Sequence, residues 1–288
     1  MANTVAKAFV EQFKSNVVHL AQQRGSRLRD KVRVEQVVGK QHNFERIGTS
    51  AAVAKTTQHT TTPVVDVPHS RRVCSMTDWH WADLIDQEDK IRMLINPQSE
   101  YTKTAAWAMG RKWDDLIVAA MSGNSVDGDG ATISLPVTSE VAHGSAGITV
   151  AKILDAREIL LANDVDEEND PMYFAVSAEE LTALLNITEV KSADYNTIKA
   201  LAKGDISDFC GFKFVRTQAL ETFSGSPNTR RCLAWAQSGI GLAVGADVST
   251  RIDDRSDKSY ATQVYLAFTA GAIRIEEEKV VEVTVTRA

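Results

Sequence analysis

Cysteine is scarce in this chain: Cys74, Cys210 and Cys232 are the only three in 288 residues, an odd number at wide spacing. That pattern argues against a disulfide framework or a zinc site and suits buried free thiols in a reducing compartment. No run approaches eighteen consecutive apolar residues, and the N-terminal stretch MANTVAKAFVEQFK carries charges where a signal peptide has its apolar centre. The chain is therefore expected to be soluble and unexported. His19, His42, His59, His69, His80 and His143 never fall at HxxxH or HExxH spacing, and no serine sits in a GxSxG elbow. No metal, no cofactor and no catalytic residue is expected. Repeats of twenty to fifty residues are also lacking.

What is present is an ordinary globular composition, 43% hydrophobic and 24% charged, with mass for one large domain or two modest ones. The net charge of −6 hides a segregation. Residues 24 to 72 hold ten Lys or Arg, among them Arg27, Arg29, Lys31, Arg33, Arg71 and Arg72, against four acids. Residues 153 to 170 hold seven acids, among them Asp164, Asp166, Glu167 and Glu168, against Arg157 alone. The two balances, +6 and −6, suit one part of the protein to another part of a second copy.

The run Lys90 to Gly123 has the marks of one long helix. Asn96 can cap it, Pro97 fits its first position, Glu100 complements the positive dipole end, and Gly123 stops it. Tyr101, Ala105, Ala108, Trp113, Leu116 and Ala120 recur close to the helical period, with Trp113 read as the packing anchor. Roughly 25 residues at about 1.5 Å each make a rod of about 37 Å, a spine on which other pieces hang.

Around this spine the chain divides by character. Val5, Phe9, Phe13, Val17 and Leu20 predict an amphipathic helix from Thr4 to Gln23, closed near Gly25. Residues 26 to 73 contain one aromatic, Phe44, with strand-like pieces at Lys31–Val38 and Val64–Val67 around the Thr-rich centre Thr56–Thr62. So little apolar surface predicts a long two-stranded arm that contributes little to its own subunit and lies on a neighbour. Residues 149 to 222 alternate: a helix through Ile153, Leu160 and Leu161, a strand at 172 to 176, a helix opened by the capping box Ser177/Glu180, and a strand at Phe209–Val215. Asp164–Pro171 and Lys203–Asp208 read as turns. Strands at Arg231–Trp235, Val248–Ile252, Tyr260–Ile275 and Val280–Val285 close the chain.

Two rival functions have footholds. Gly239 to Gly245, GIGLAVG, could be a dinucleotide fingerprint, but its spacing is GxGxxxG and fewer than fifty residues follow; small residues packing a short helix on a strand explain it better. The basic run Arg24 to Arg33 could make a nucleic-acid-binding module, against a subunit-facing stripe. Asp127-Gly128-Asp129-Gly130 has Thr138 where a calcium loop needs Glu, so a surface turn is expected. Trp79-His80-Trp81, after a cap at Asp78, reads as interface or core anchors before a base-stacking site.

Basic arm, spine helix opened by Asn-Pro, α/β middle and closing strand pair, in that order, resemble the major capsid proteins of tailed bacteriophages. LINPQSEYTKTAAWAMGRKWDDLIVAAMSG looks like that family's spine helix, and GAIRIEEEKVVEV, from Gly271, like its closing strands. The resemblance implies an α+β, Hong Kong 97-like fold. It implies an N-terminal arm at 1–25, an extended loop at 26–76, a peripheral domain at 77–148 and 246–288, and an axial domain at 149–245. It further implies self-assembly as hexamers and pentamers into an icosahedral shell around double-stranded DNA, contacted non-specifically, in the virion after assembly in the host bacterial cytoplasm. A portal and a decoration protein belong to the same expectation. Only about 25 residues precede the arm, so a separate scaffolding protein is expected. Lys40 and Lys55 lie in the arm without a visible acid catalyst or partner Asn, and no isopeptide crosslink is expected.

Overall fold

The computed structural model describes residues 22–86, 97–187, 208–220 and 228–287. The N-terminal helix expected from Thr4 lies outside the described residues save Gln22 and Gln23, which are not helical, and the Asn96 cap and most of the Lys203–Asp208 turn lie outside them too.

The spine is a 26-residue helix, α1 (Pro97–Ser122). Its buried track is Ala105, Met109, Trp113, Ile117 and Met121, four residues apart, with Asp114 and Val118 beside it. Ala108, Leu116 and Ala120, expected on that face, are only partly covered because the bulkier Met109, Ile117 and Met121 take the centre. The helix packs on a four-stranded sheet in the order β1 (Arg33–Gln36), β12 (Ile240–Arg255), β13 (Ala261–Arg274), β4 (Thr77–Ile85). Trp113 lies flat on Phe268 of β13, ring centroids 4.6 Å apart. The carbonyls left open where α1 ends, Met121 and Gly123, accept from the guanidinium of buried Arg274, at 2.9 and 2.7 Å. That positive group stands where the helix dipole is negative, and the last turn has no base of its own.

A second, six-stranded sheet runs β7 (Glu140–Val141), β14 (Val280–Thr286), β11 (Thr229–Ala236), β8 (Met172–Val176), β10 (Phe212–Arg216), β9 (Asp208–Phe209). All five residues of β8 are buried, as a central strand requires. Helix α2 (Val150–Ala162) is capped by Thr149, and α3 (Ala178–Asn186) opens with the Ser177/Glu180 capping box. The run Phe209–Val215 is two strands, not one: Cys210 and Gly211 both have positive φ, 51° and 81°, which makes a two-residue hairpin turn. The last strand also differs from its expected place. β14 pairs with β11 from Val280↔Trp235 to Thr286↔Thr229, so it lies in the six-stranded sheet and not beside β13.

A single 3-10 turn, Gln237–Gly239, leads into this run, and residues 240–245 are strand. Gly241 to Val244 lie within β12, and a Cβ on Gly241 would meet the Phe44 ring at 2.5 Å. The close approach of that aromatic explains the glycine, and no loop-to-helix phosphate cradle exists there. The turn at 127–130 joins β5 (Ser125–Val126) to β6 (Thr132–Ile133), with Gly130 at φ +83°. Asp78 lies inside β4, where it accepts from the Thr269 hydroxyl at 2.6 Å, and caps no helix.

Candidate assembly surface

Residues 22–32 form a strap held against the body at each end. Asp114, buried on α1, accepts from Ser26 Oγ at 2.5 Å and from the N–H groups of Arg27 and Leu28 at 3.0 and 3.1 Å. Gly110 lets the strap cross: a Cβ there would stand 2.5 Å from Gly25. Farther on, the Lys31 carbonyl accepts from the indole N–H of Trp235 at 2.9 Å. The strap thereby joins the spine helix to the six-stranded sheet.

This placement decides what the strap's basic side chains do. Arg27 donates to the Arg216 carbonyl at 2.6 Å. Arg29 lies over the Trp113 ring at 4.7 Å and forms an ion pair with Asp247 at 2.9 Å; its hydrogen bond holds the Asp247 carboxyl below the usual carboxylate range. Lys31 lies over Tyr173 at 5.5 Å, and Arg33 pairs with Glu35 at 2.6 Å. These cations are engaged within the subunit, which leaves Arg24 to Arg33 a poor groove for nucleic acid.

The arm is a hairpin of β2 (Gln41–Ile47) and β3 (His69–Ser75), antiparallel from Gln41↔Ser75 to Ile47↔His69. Its base belongs to the body, contrary to the expectation that the whole segment contributes little to its own subunit. Phe44 and Cys74 are buried against Ala243, Ile273 and Ile275, and burial pushes the Cys74 thiol up to about 11. Arg72, expected on an exposed subunit-facing stripe, is 5% exposed. It pairs with Glu277 at 3.0 Å and Asp127 at 2.8 Å, and Arg46 reaches the same Glu277 at 3.3 Å. A buried guanidinium needs carboxylates around it, and these come from two distant turns. Arg71 faces outward, half exposed, with Glu45 at 3.6 Å.

Beyond the base, residues 48–68 have no strand pairing and are exposed throughout. Val64–Val67, expected as a strand, is unpaired; Val64 is 91% exposed. The acidic turn after α2 is also on the surface. Asp166 accepts from Asn169 Nδ2 at 2.6 Å and the Glu168 N–H at 3.0 Å, which lowers its pKa, and Glu167 pairs with Arg157 at 2.7 Å. Asp164, at φ 55°, and Glu168 are exposed. Tyr101 is partly buried against the core. Trp79 and Trp81 also pack on it in part, with Lys112 Nζ 4.0 Å from the Trp79 ring. Among the described residues no cluster of His, Cys, Asp or Glu could hold a metal, and no helix is long and apolar enough to cross a membrane.

A spine helix on one sheet, a second sheet with its own helices, and an arm anchored only at its base make an α+β subunit of the Hong Kong 97-like class. The capsid of cyanophage P-SCSP1u aligns with it over 100% of this chain and 96% of that one, at 16% identity and a TM-score of 0.77. The capsid of Ralstonia phage GP4 gives 10% identity and 0.74 over 98% and 96% of the two chains. The Mycobacterium phage Che8 structure gives 15% and 0.68 over 96% and 97%. No curated protein matches the chain. The phage capsid protein family model matches residues 5–287, and the chain belongs to that family. It is a phage capsid protein, a structural part of the virion.

Proposed function

We propose that copies of this chain assemble as hexamers and pentamers into an icosahedral shell that encloses double-stranded DNA without sequence-specific contacts. The observation that carries this is the arm: 21 residues, 48–68, are exposed on every side, on a hairpin whose base is locked by Phe44 and Arg72. A segment of that length, anchored at a rigid base, is suited to lie over a neighbouring subunit. In this reading residues 1–25 are the N-terminal arm, and residues 26–76 the extended loop. Residues 77–148 with β12 and β13 are the peripheral domain. The six-stranded sheet apart from β7, β14 included, is the axial domain that closes rings. Arg71 and the exposed acids Asp164 and Glu168 serve as rim contacts between copies, where charge acts on assembly rate more than on final strength. A separate scaffolding protein, a portal and a decoration protein complete the particle, assembled in the host bacterial cytoplasm. Many weak contacts sum to a closed shell that no single contact would hold.

The test is direct. The purified chain is run on a sizing column and viewed by negative stain, alone and with scaffolding protein supplied. Shells or capsomer-sized rings are the expected result; a compact monomer under every condition overturns the reading.

A further inference from the structure

β12 is sixteen residues long, yet β1 covers its outer side only from Gly241 to Val244. From Gly245 to Asp254 every residue is exposed, and among the described residues no strand pairs with that edge. The pairing with β13 is bulged as far as Ser249 and regular from Ser249 to Arg255. Seven residues therefore present a straight row of unpaired backbone groups, about 23 Å long, with Ile252 45% exposed. Such an edge is a template for another strand.

The arm carries a segment of matching kind. Thr60 to Val67, TTTPVVDV, has six β-branched residues in eight, is free of pairing, and spans about 26 Å when extended. Pro63 is compatible with an added strand, because a strand at the outside of a sheet needs donors on one side only. If Thr62 and Val64 turn their backbone groups toward the edge, Pro63 turns away from it. Charge selects the direction. Antiparallel addition brings Lys55 and His59 to the Asp253–Asp254 end and Asp66 toward Arg251, whereas parallel addition sets Asp66 beside the two aspartates.

We propose that residues 60–67 of one copy add as an antiparallel strand to the open edge of β12, residues 249–255, in a second copy. This rests on the assembly reading above and names the surface that receives the arm and the backbone pairing that holds it.

Two singly substituted chains are co-assembled: one carries Val64→Cys, the other a cysteine at one position from 249 to 255, each position in turn. Oxidised particles are then run on a non-reducing gel. Strand addition predicts a cross-linked dimer at the one position opposite residue 64, at most a weaker one two residues to either side of it, and none at the positions between, because alternate side chains face opposite sides of a sheet and a disulfide spans Cα atoms no more than about 7 Å apart. Each variant alone gives none. Particles without cross-links, uniform cross-linking along 249–255, or cross-linking instead to Ala82→Cys on the opposite edge strand overturns the proposal and leaves the shell reading standing. Wild-type chain that forms no particles removes both. Hydrogen exchange on the wild-type chain gives an independent readout should a cysteine variant not assemble. Amides of 249–255 should exchange at least about tenfold more slowly in particles than in unassembled subunits, and unchanged exchange there rejects strand addition.

Discussion

Trp113 shows how one side chain can hold several elements. Its ring is covered by Phe268 of β13 and by the guanidinium of Arg29 from the strap, and only 2% of it is exposed. Truncation removes the anchor between helix, sheet and strap at once. Trp113→Ala should lower subunit stability by about 3 to 5 kcal/mol in urea unfolding, with Trp113→Phe losing less. The same strap carries a pH-sensitive contact. Arg29 depresses the Asp247 pKa, so the folded value lies below the unfolded one, and the pair stabilises the folded state above the ordinary carboxylate range. That contribution is lost as pH falls through the depressed value. A carboxylate titration followed by NMR should place Asp247 below the ordinary aspartate range, and Arg29→Gln should raise it toward that range; an unmoved midpoint would show that Arg29 is not the cause.

At the scale of elements, the hairpin base is fixed by a cluster that spans the chain. Arg72 reaches a carboxylate 205 residues away and another 55 away. Removing Arg72 takes from buried Glu277 its nearest cation and leaves it Arg46 alone, so Arg72→Met should cost up to about 3 to 5 kcal/mol, whereas Arg72→Met with Glu277→Met should recover much of that loss. A double-mutant cycle in urea checks it. Arg71→Glu, one residue away but outward, should leave unfolding unchanged and slow assembly at low salt. The contrast explains what the sequence could disclose. α1 is legible because its stop at Gly123, the acid in its first turn and its period are local, and so is the Ser177 start of α3. Arg72 looked like its neighbour Arg71, since its burial depends on acids far along the chain. Cys210-Gly211 was hidden inside a run that reads as one apolar strand, and the partner of β14 is chosen by long-range packing, which no local pattern encodes. Among the residues expected at an interface, the basic run Arg27 to Arg33 is visible in the sequence as charge, but its intramolecular partners are not.

For the whole molecule, the division between body and tip sets a sharper experiment than deleting the arm entire. Removal of residues 32 to 73 would take away β1, which completes the four-stranded sheet, together with Phe44 and Arg72, both buried, and would cut β3 off just before Cys74. The outcome would mix misfolding with lost assembly. Residues 48–68 are different: they are exposed, and only their ends meet, where the Gly48 N–H donates to the Pro68 carbonyl at 2.8 Å. Replacing them with a short Gly-Ser turn should leave circular dichroism and the urea midpoint of the subunit close to wild type, because no buried side chain is lost and a shorter loop costs less to close. Shells should nevertheless fail to form, since the part removed is the one that reaches beyond the subunit. Sedimentation of the variant beside wild type, with and without scaffolding protein, reads both properties in one run. A folded monomer or ring that never closes is the expected species. Closed particles built from the shortened chain would show that contacts elsewhere on the body suffice, and the tip would then be a surface loop of the finished shell with no part in holding it.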